Sequence, residues 1–124
     1  MVSVYAKARR AQESQYRDLC TISEYRDVVD EKSRLTRKEE VVVLENLECR
    51  LSFENLSAAS QTDTGAAVVQ SVKLFIAPEV RIKSGSKVTV TLTDGKVEEY
   101  ALSGIPAVYP THQEILLEPF RGWA

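Results

Sequence analysis

Groups that do chemistry are scarce in this chain. Its 124 residues include one histidine, His112, and two cysteines, Cys20 and Cys49. No two of these stand at metal-ligand or nucleophile–base spacing. His112 has only Glu114 as a ligand-type neighbour, and a zinc site wants at least three protein ligands. The sequence therefore predicts no catalytic residue, no metal and no cofactor, and it reads His112 as a hydrogen-bonded turn or surface side chain. Long apolar runs are also missing. The longest are Val41-Val42-Val43-Leu44 and Leu74-Phe75-Ile76-Ala77, whereas a membrane span needs about 20 such residues. No membrane partner is expected. The first ten residues place Lys7, Arg9 and Arg10 after a short apolar stretch, the reverse of a secretory signal. The chain is thus expected to stay in the cytosol where it is made.

An excess of positive charge is lacking too. Net charge is −2, with 16 basic and 18 acidic side chains. A protein that grips nucleic acid by its phosphates usually shows a basic face. Here only the head is basic, through Lys7, Arg9, Arg10 and Arg17 against Glu13. Residues 18–66 are net acidic, and the remainder balances. The ordinary reading of Lys7, Arg9 and Arg10 is a solvated helix face. The sharper one is a dock for an acidic protein surface.

What is present fits one domain spanning residues 1–124. A chain of this size buries roughly two-thirds of its unfolded surface, so it needs neither disulfide nor metal to fold. Residues 3–17 predict the best helix, with Ser3 as N-cap and Val4, Ala8 and Ala11 on one weak apolar stripe. Strand signals then repeat over Leu19–Tyr25, Lys38–Leu44, Leu47–Phe53, Val68–Ala77, Lys87–Thr93, Lys96–Leu102 and Gln113–Phe120. A break is expected at Glu45-Asn46, a stop at Pro78, a hairpin turn at Asp94-Gly95 and a turn at Gly104-Ile105-Pro106. Alternation puts Cys49 on a buried strand face and Cys20 likewise, as small hydrophobes. Val72, Leu74 and Ile76, then Val88, Val90 and Leu92, then Ile115 and Leu117 point inward. Phe120 and Trp123 pin the C-terminus to the body. The fold class is mostly β: a small antiparallel barrel or sandwich with an N-terminal helix. Between two good strands lies residues 55–67, longer than a hairpin needs and rich in Ser, Ala, Thr and Gly. It reads as one long mobile loop.

That loop contains Asp63-Thr64-Gly65, the triplet of retropepsin-like aspartic proteases, which need two carboxylates sharing one proton and hence a homodimer here. The context argues against it. The triplet should end an apolar strand, whereas Ser57-Ala58-Ala59-Ser60-Gln61-Thr62 precedes it. The partner element Leu102-Ser103-Gly104 places Ser where an apolar residue is required. Asp63 and Gly65 are better read as turn formers. A third reading is a small-barrel binding module for nucleic acid or oligosaccharide. Tyr100 and Tyr109 stand apart from basic neighbours in the sequence, which speaks against nucleic acid.

From Cys49 onward the chain resembles a known family. The pieces that carry the likeness are Leu51-Ser52-Phe53-Glu54, Gln61-Thr62-Asp63, and Ser71 through Pro78. They continue with Ile82 through Val88, His112 through Glu118, and the Arg121-Gly122-Trp123-Ala124 ending. In that order they are similar to head-closure (stopper, head-completion) proteins of the tailed-phage head–tail connector, nearest to PBSX-type defective prophages of Bacillus. The resemblance implies a β-barrel that acts without making or breaking a bond. It implies a ring of copies of this chain, monomeric when free, seated on the phage portal and adaptor after packaging. The ring would close the DNA exit and offer a surface to the tail or tail-terminator protein. Packaged DNA would be met only at the channel. Location would be the bacterial cytoplasm during assembly, then the virion connector. On this reading Ser57, Ala58, Ala59, Ser60, Gln61, Thr62, Asp63, Thr64 and Gly65 form the channel loop, and Lys7, Arg9 and Arg10 dock on the adaptor.

Overall fold

A computed structural model describes residues 4–57 and 68–123, with only the backbone described at 55–57 and 68–70. In chain order come α1 (Ala6–Glu13), β1 (Asp18–Val29), β2 (Thr36–Ser57), β3 (Val68–Ile76), β4 (Lys87–Thr91), β5 (Val97–Val108) and β6 (Gln113–Pro119). The six strands close into an antiparallel barrel in the order β1-β2-β3-β6-β5-β4. The expectation of a small antiparallel barrel with one N-terminal helix holds. Closure matters because it leaves no unpaired ladder where the barrel wall is complete.

The core follows from the strand period. Each strand sends two side chains inward, two residues apart: Cys20 and Ile22, Cys49 and Leu51, Leu74 and Ile76, Val88 and Val90, Tyr100 and Leu102, Ile115 and Leu117. All twelve are buried and form one cluster. Alternation at period two is what delivers a full interior from six short strands. Val80, Ile82 and Leu92, from the segments joining β3 to β4 and β4 to β5, pack against the cluster.

Two expected breaks are not breaks. Residues 36–57 form one strand of 22 residues. Its register against β1 slips twice, between Cys20 and Ile22 and between Ile22 and Ser23. Asn46 sits at φ +52 within the slipped stretch, where Asn tolerates the left-handed region better than most residues. Glu45-Asn46 is thus a bulge that bends a continuous strand around the barrel, not a boundary. Gly104-Ile105-Pro106 is likewise internal to β5. Ser103 pairs with Leu116 and Ala107 with Glu114, so three residues oppose one. Gly104 takes φ +78 there, and Ile105 is left 96% exposed.

The helix is shorter than expected, and it faces the other way. Tyr5 occupies the N-cap position, and Ser3 lies outside the described residues. Val4 (88% exposed), Ala8 and Ala11 point to solvent. The side of α1 that meets the body carries Arg9, whose guanidinium reaches Glu79 in the segment between β3 and β4. An ion pair, not the weak apolar stripe, sets the helix orientation.

That segment is itself strapped down. Gln113 is 2% exposed at the start of β6, and its amide donates to the carbonyls of Ala77 (2.8 Å) and Val80 (2.6 Å). A buried amide with two backbone acceptors is satisfied, so its burial costs little.

Candidate assembly surfaces

The barrel wall does not hold all of the strands. β1 pairs with β4 only over Leu19–Ser23, while its pairing with β2 continues to Val29 opposite Thr36. Residues 24–29 and 36–41 therefore form a two-stranded arm beyond the barrel. Six residues at about 3.3 Å each project ~20 Å. The turn at its tip is set locally: Asp30 Oδ1 accepts from the Lys32 amide, and Arg34 takes φ +62. Val29 and Leu35 at the tip are exposed.

A second arm comes from β2 and β3. β6 pairs with β3 no further than Val72, yet β2 and β3 stay paired to Ser57 opposite Val68. Asn55, Leu56 and Ser57 belong to β2, so the expected loop starts after Ser57. Four residues past the last wall pair carry the strand ends ~13 Å outward. Of the expected channel loop, Ala58, Ala59, Ser60, Gln61, Thr62, Asp63, Thr64 and Gly65 lie outside the described residues. In the chain they fall between Ser57 and Val68, where the described β2–β3 pairing ends.

The expected docking trio separates. Lys7 and Arg10 are exposed. Arg9 is held by the Glu79 carboxylate, with Nη2 to Oε2 at 2.9 Å, and by Glu13 one turn on at 3.1 Å. These partners raise the Arg9 pKa, and Arg9 in turn draws the Glu79 carboxyl below the usual range. Arg9 is a clamp of the helix on the body, so the basic surface left for another molecule is Lys7 and Arg10.

Sequence reasoning missed two side-chain clusters that the barrel assembles. Trp123 lies flat on Tyr25, with centroids 5.1 Å apart and planes 8° apart, and Phe120 meets it edge-on at 5.0 Å. Trp123 Nε1 donates to Glu40. Lys87 spans Glu40 and Glu99 and lies 4.9 Å from the Phe120 ring centroid. Glu99 and then Glu40 hold the Lys87 pKa up, against the effect of burial. The pinning of the C-terminus by Phe120 and Trp123 holds, and its target is the root of the first arm.

The second cluster lies outside the wall. His112 packs against Phe75 (5.8 Å) and stacks on Tyr109 (5.1 Å), while Arg50 covers Phe75 at 5.7 Å. His112 Nε2 is 2.9 Å from Glu114, which also pairs with Lys73. His112 first, then Lys73, draw the Glu114 carboxyl down. The predicted hydrogen-bonded His112 with Glu114 on its own side is present. The rest of the cluster could not be read from chain order, because Arg50 comes from β2, Phe75 from β3 and His112 from the turn before β6. Inside the barrel, Cys20 and Cys49 are free thiols next to one another. The Cys20 contact and burial push the Cys49 thiol well up, which makes it a poor nucleophile.

These features define a small closed six-stranded barrel with two projecting hairpins. No family model matches the chain, and no curated protein matches it. Among solved structures, it is similar to the phage-like element PBSX protein xkdH from Bacillus subtilis, with a TM-score of 0.49 and 11% identity over 83% of this chain and 94% of that one. That likeness carries no residue role over to this chain.

Proposed function

We propose that this chain is a structural protein of a tailed-phage head–tail connector, acting by assembly and making or breaking no bond. The observation that carries the reading is the second arm. The wall closes at Val72, yet β2 and β3 run on as a pair to Ser57 and Val68. The small-residue segment 58–67 lies outside the described residues and joins these two paired strand ends in the chain. Such a segment is cheap to order on contact. In a ring, copies of it would meet near the axis and obstruct the DNA exit, with Asp63 repelling phosphates. The sequence pieces that resemble head-closure proteins map onto consecutive parts of this scaffold. Ser71–Pro78 is most of β3 and its stop, Ile82–Val88 enters β4, and His112–Glu118 covers β6.

Docking on an adaptor falls to Lys7 and Arg10, since Arg9 is committed to Glu79. The test is deletion of Ser57–Asp63 in the phage. The barrel should fold, as judged by its thermal transition, while heads lose DNA or fail to join tails. Particles of normal titre from a folded deletion protein would refute the gating role.

One observation favours a second reading. The exterior row of Arg50, Phe75, His112 and Tyr109 has the aromatic and basic groups of a stacking platform for single-stranded nucleic acid. Filter binding at low salt decides it: retention lost on Phe75→Ala supports the platform, and no retention by the native protein rejects it.

A further inference from the structure

We infer that the first arm is an edge-to-edge assembly element, in which β1 of one copy pairs antiparallel with β2 of the next in one register. Strand residues alternate the side to which they turn their N–H and C=O groups. Along Glu24–Val29, half of these groups face β2. The other half face outward, and among the described residues no strand pairs with them, because β4 stops at Ser23. The opposite edge of the arm is equally open, since β3 meets β2 only from Cys49 onward. One hairpin thus carries both halves of a ladder. A second copy of this chain is the occupant that uses both at once. The resulting contact is head-to-tail, the kind that propagates into a ring or filament.

Charge selects the register. Side chains that share a sheet face must oppose one another, which restricts the offset between copies to steps of two residues. If a neighbour repeats the pairing found within the chain, Arg26 faces Glu39, Asp27 faces Lys38, and Val29 faces Thr36. Shifting by two residues one way sets Asp27 against Glu40. Shifting the other way sets Glu24 against Glu39 and Arg26 against Arg37. Like charges directly opposite are unfavourable, and opposite ones favourable. Charged edges commonly guard against indiscriminate pairing. Here the same side chains reject both adjacent offsets and accept the one between them. A groove of ≈ 380 Å³ lies between Glu24–Arg26 and the Lys83–Ser86 turn, with Lys38 and Trp123 also lining it.

The inference does not depend on the connector reading, and its test involves neither heads nor DNA. Proteins carrying Arg26→Cys and Glu39→Cys are mixed, oxidised with glutathione and mapped by peptide mass spectrometry. Each carries one new thiol, so a bond between the two positions must be intermolecular. The native thiols are buried at 1% and 0% exposure. The expected result is a mixed dimer in roughly ten-fold excess over that from Arg26→Cys with Val41→Cys, the offset that opposes Asp27 to Glu40. Equal yields from the two mixtures, or no dimer, would overturn the inference. A second arm of the test guards against local damage. Asp27→Lys and Lys38→Asp singly should weaken concentration-dependent association in sedimentation, and mixing the two single variants should restore it, because the mixture repairs the pair between copies while the pair within each chain stays like-charged. Association unchanged by the single variants would overturn the inference equally.

Discussion

Gln113 offers the sharpest test of how this barrel holds its accessory parts. Its amide donates two hydrogen bonds to the segment that leaves β3, at Ala77 and Val80, from a side chain 2% exposed. Gln113→Leu keeps the volume and removes the donors. Two carbonyls then lose their partner. Each costs about 1–3 kcal/mol if it stays dry. Both carbonyls belong to half-buried residues that can regain some water, and the leucine adds apolar burial. The net loss should be about 2–3 kcal/mol. At ~4 °C per kcal/mol for a chain of this size, the thermal midpoint falls by roughly 8–12 °C. Gln113→Glu should be worse at pH 8, where a buried carboxylate would face two carbonyl oxygens. Burial raises the pKa of that carboxyl, so the native state binds more protons than the unfolded one. Stability must then climb as pH falls from 8 toward 5. Urea unfolding of the three proteins at both pH values is the assay. A loss under ~0.5 kcal/mol in Gln113→Leu, or a Gln113→Glu protein whose stability relative to native does not rise on acidification, would refute the strap.

Four other outcomes are expected. Leu74→Ala, at a fully buried site, should cost about 3–5 kcal/mol by the transfer and cavity terms, read from the urea midpoint. Arg9→Glu should cost less than ~1 kcal/mol globally, because its partner is exposed. Hydrogen exchange of α1 amides should nevertheless rise sharply. Acid should have the same local effect: Glu79 and Glu114 are both held below the usual carboxyl range. The stability they add is present above about pH 4.5 and lost as pH falls through their depressed values, visible as faster α1 exchange for Glu79 and a lower thermal midpoint for Glu114. Trp123→Ala removes the stack on Tyr25 and should cost ~0.5–1.5 kcal/mol beyond lost area, with tyrosine emission rising.

The interior was legible because it obeys one local rule. Val88 and Val90, Leu74 and Ile76, and Ile115 and Leu117 are spaced at period two, and burial followed the spacing. Asp94-Gly95 and Pro78 act through their own backbones, so they too could be read in place. What failed was set from a distance. Glu45-Asn46 and Gly104-Ile105-Pro106 have turn chemistry, and a bulge uses the same chemistry as a turn. Only the partner strand tells them apart. The helix face was missed because Glu79, 70 residues from Arg9, decides it. The arms were invisible because a strand that outruns its wall has the same alternation as one that does not. The aromatic cluster gained its basic side chain only when β2 brought Arg50 to Phe75.

The most direct measurement of the central claim is electron microscopy of DNA-filled phage heads assembled with and without this protein. The account predicts a ring of added density at the portal vertex, DNA retained and tails attached only when the protein is present. Heads that keep their DNA and join tails equally well in its absence would contradict it.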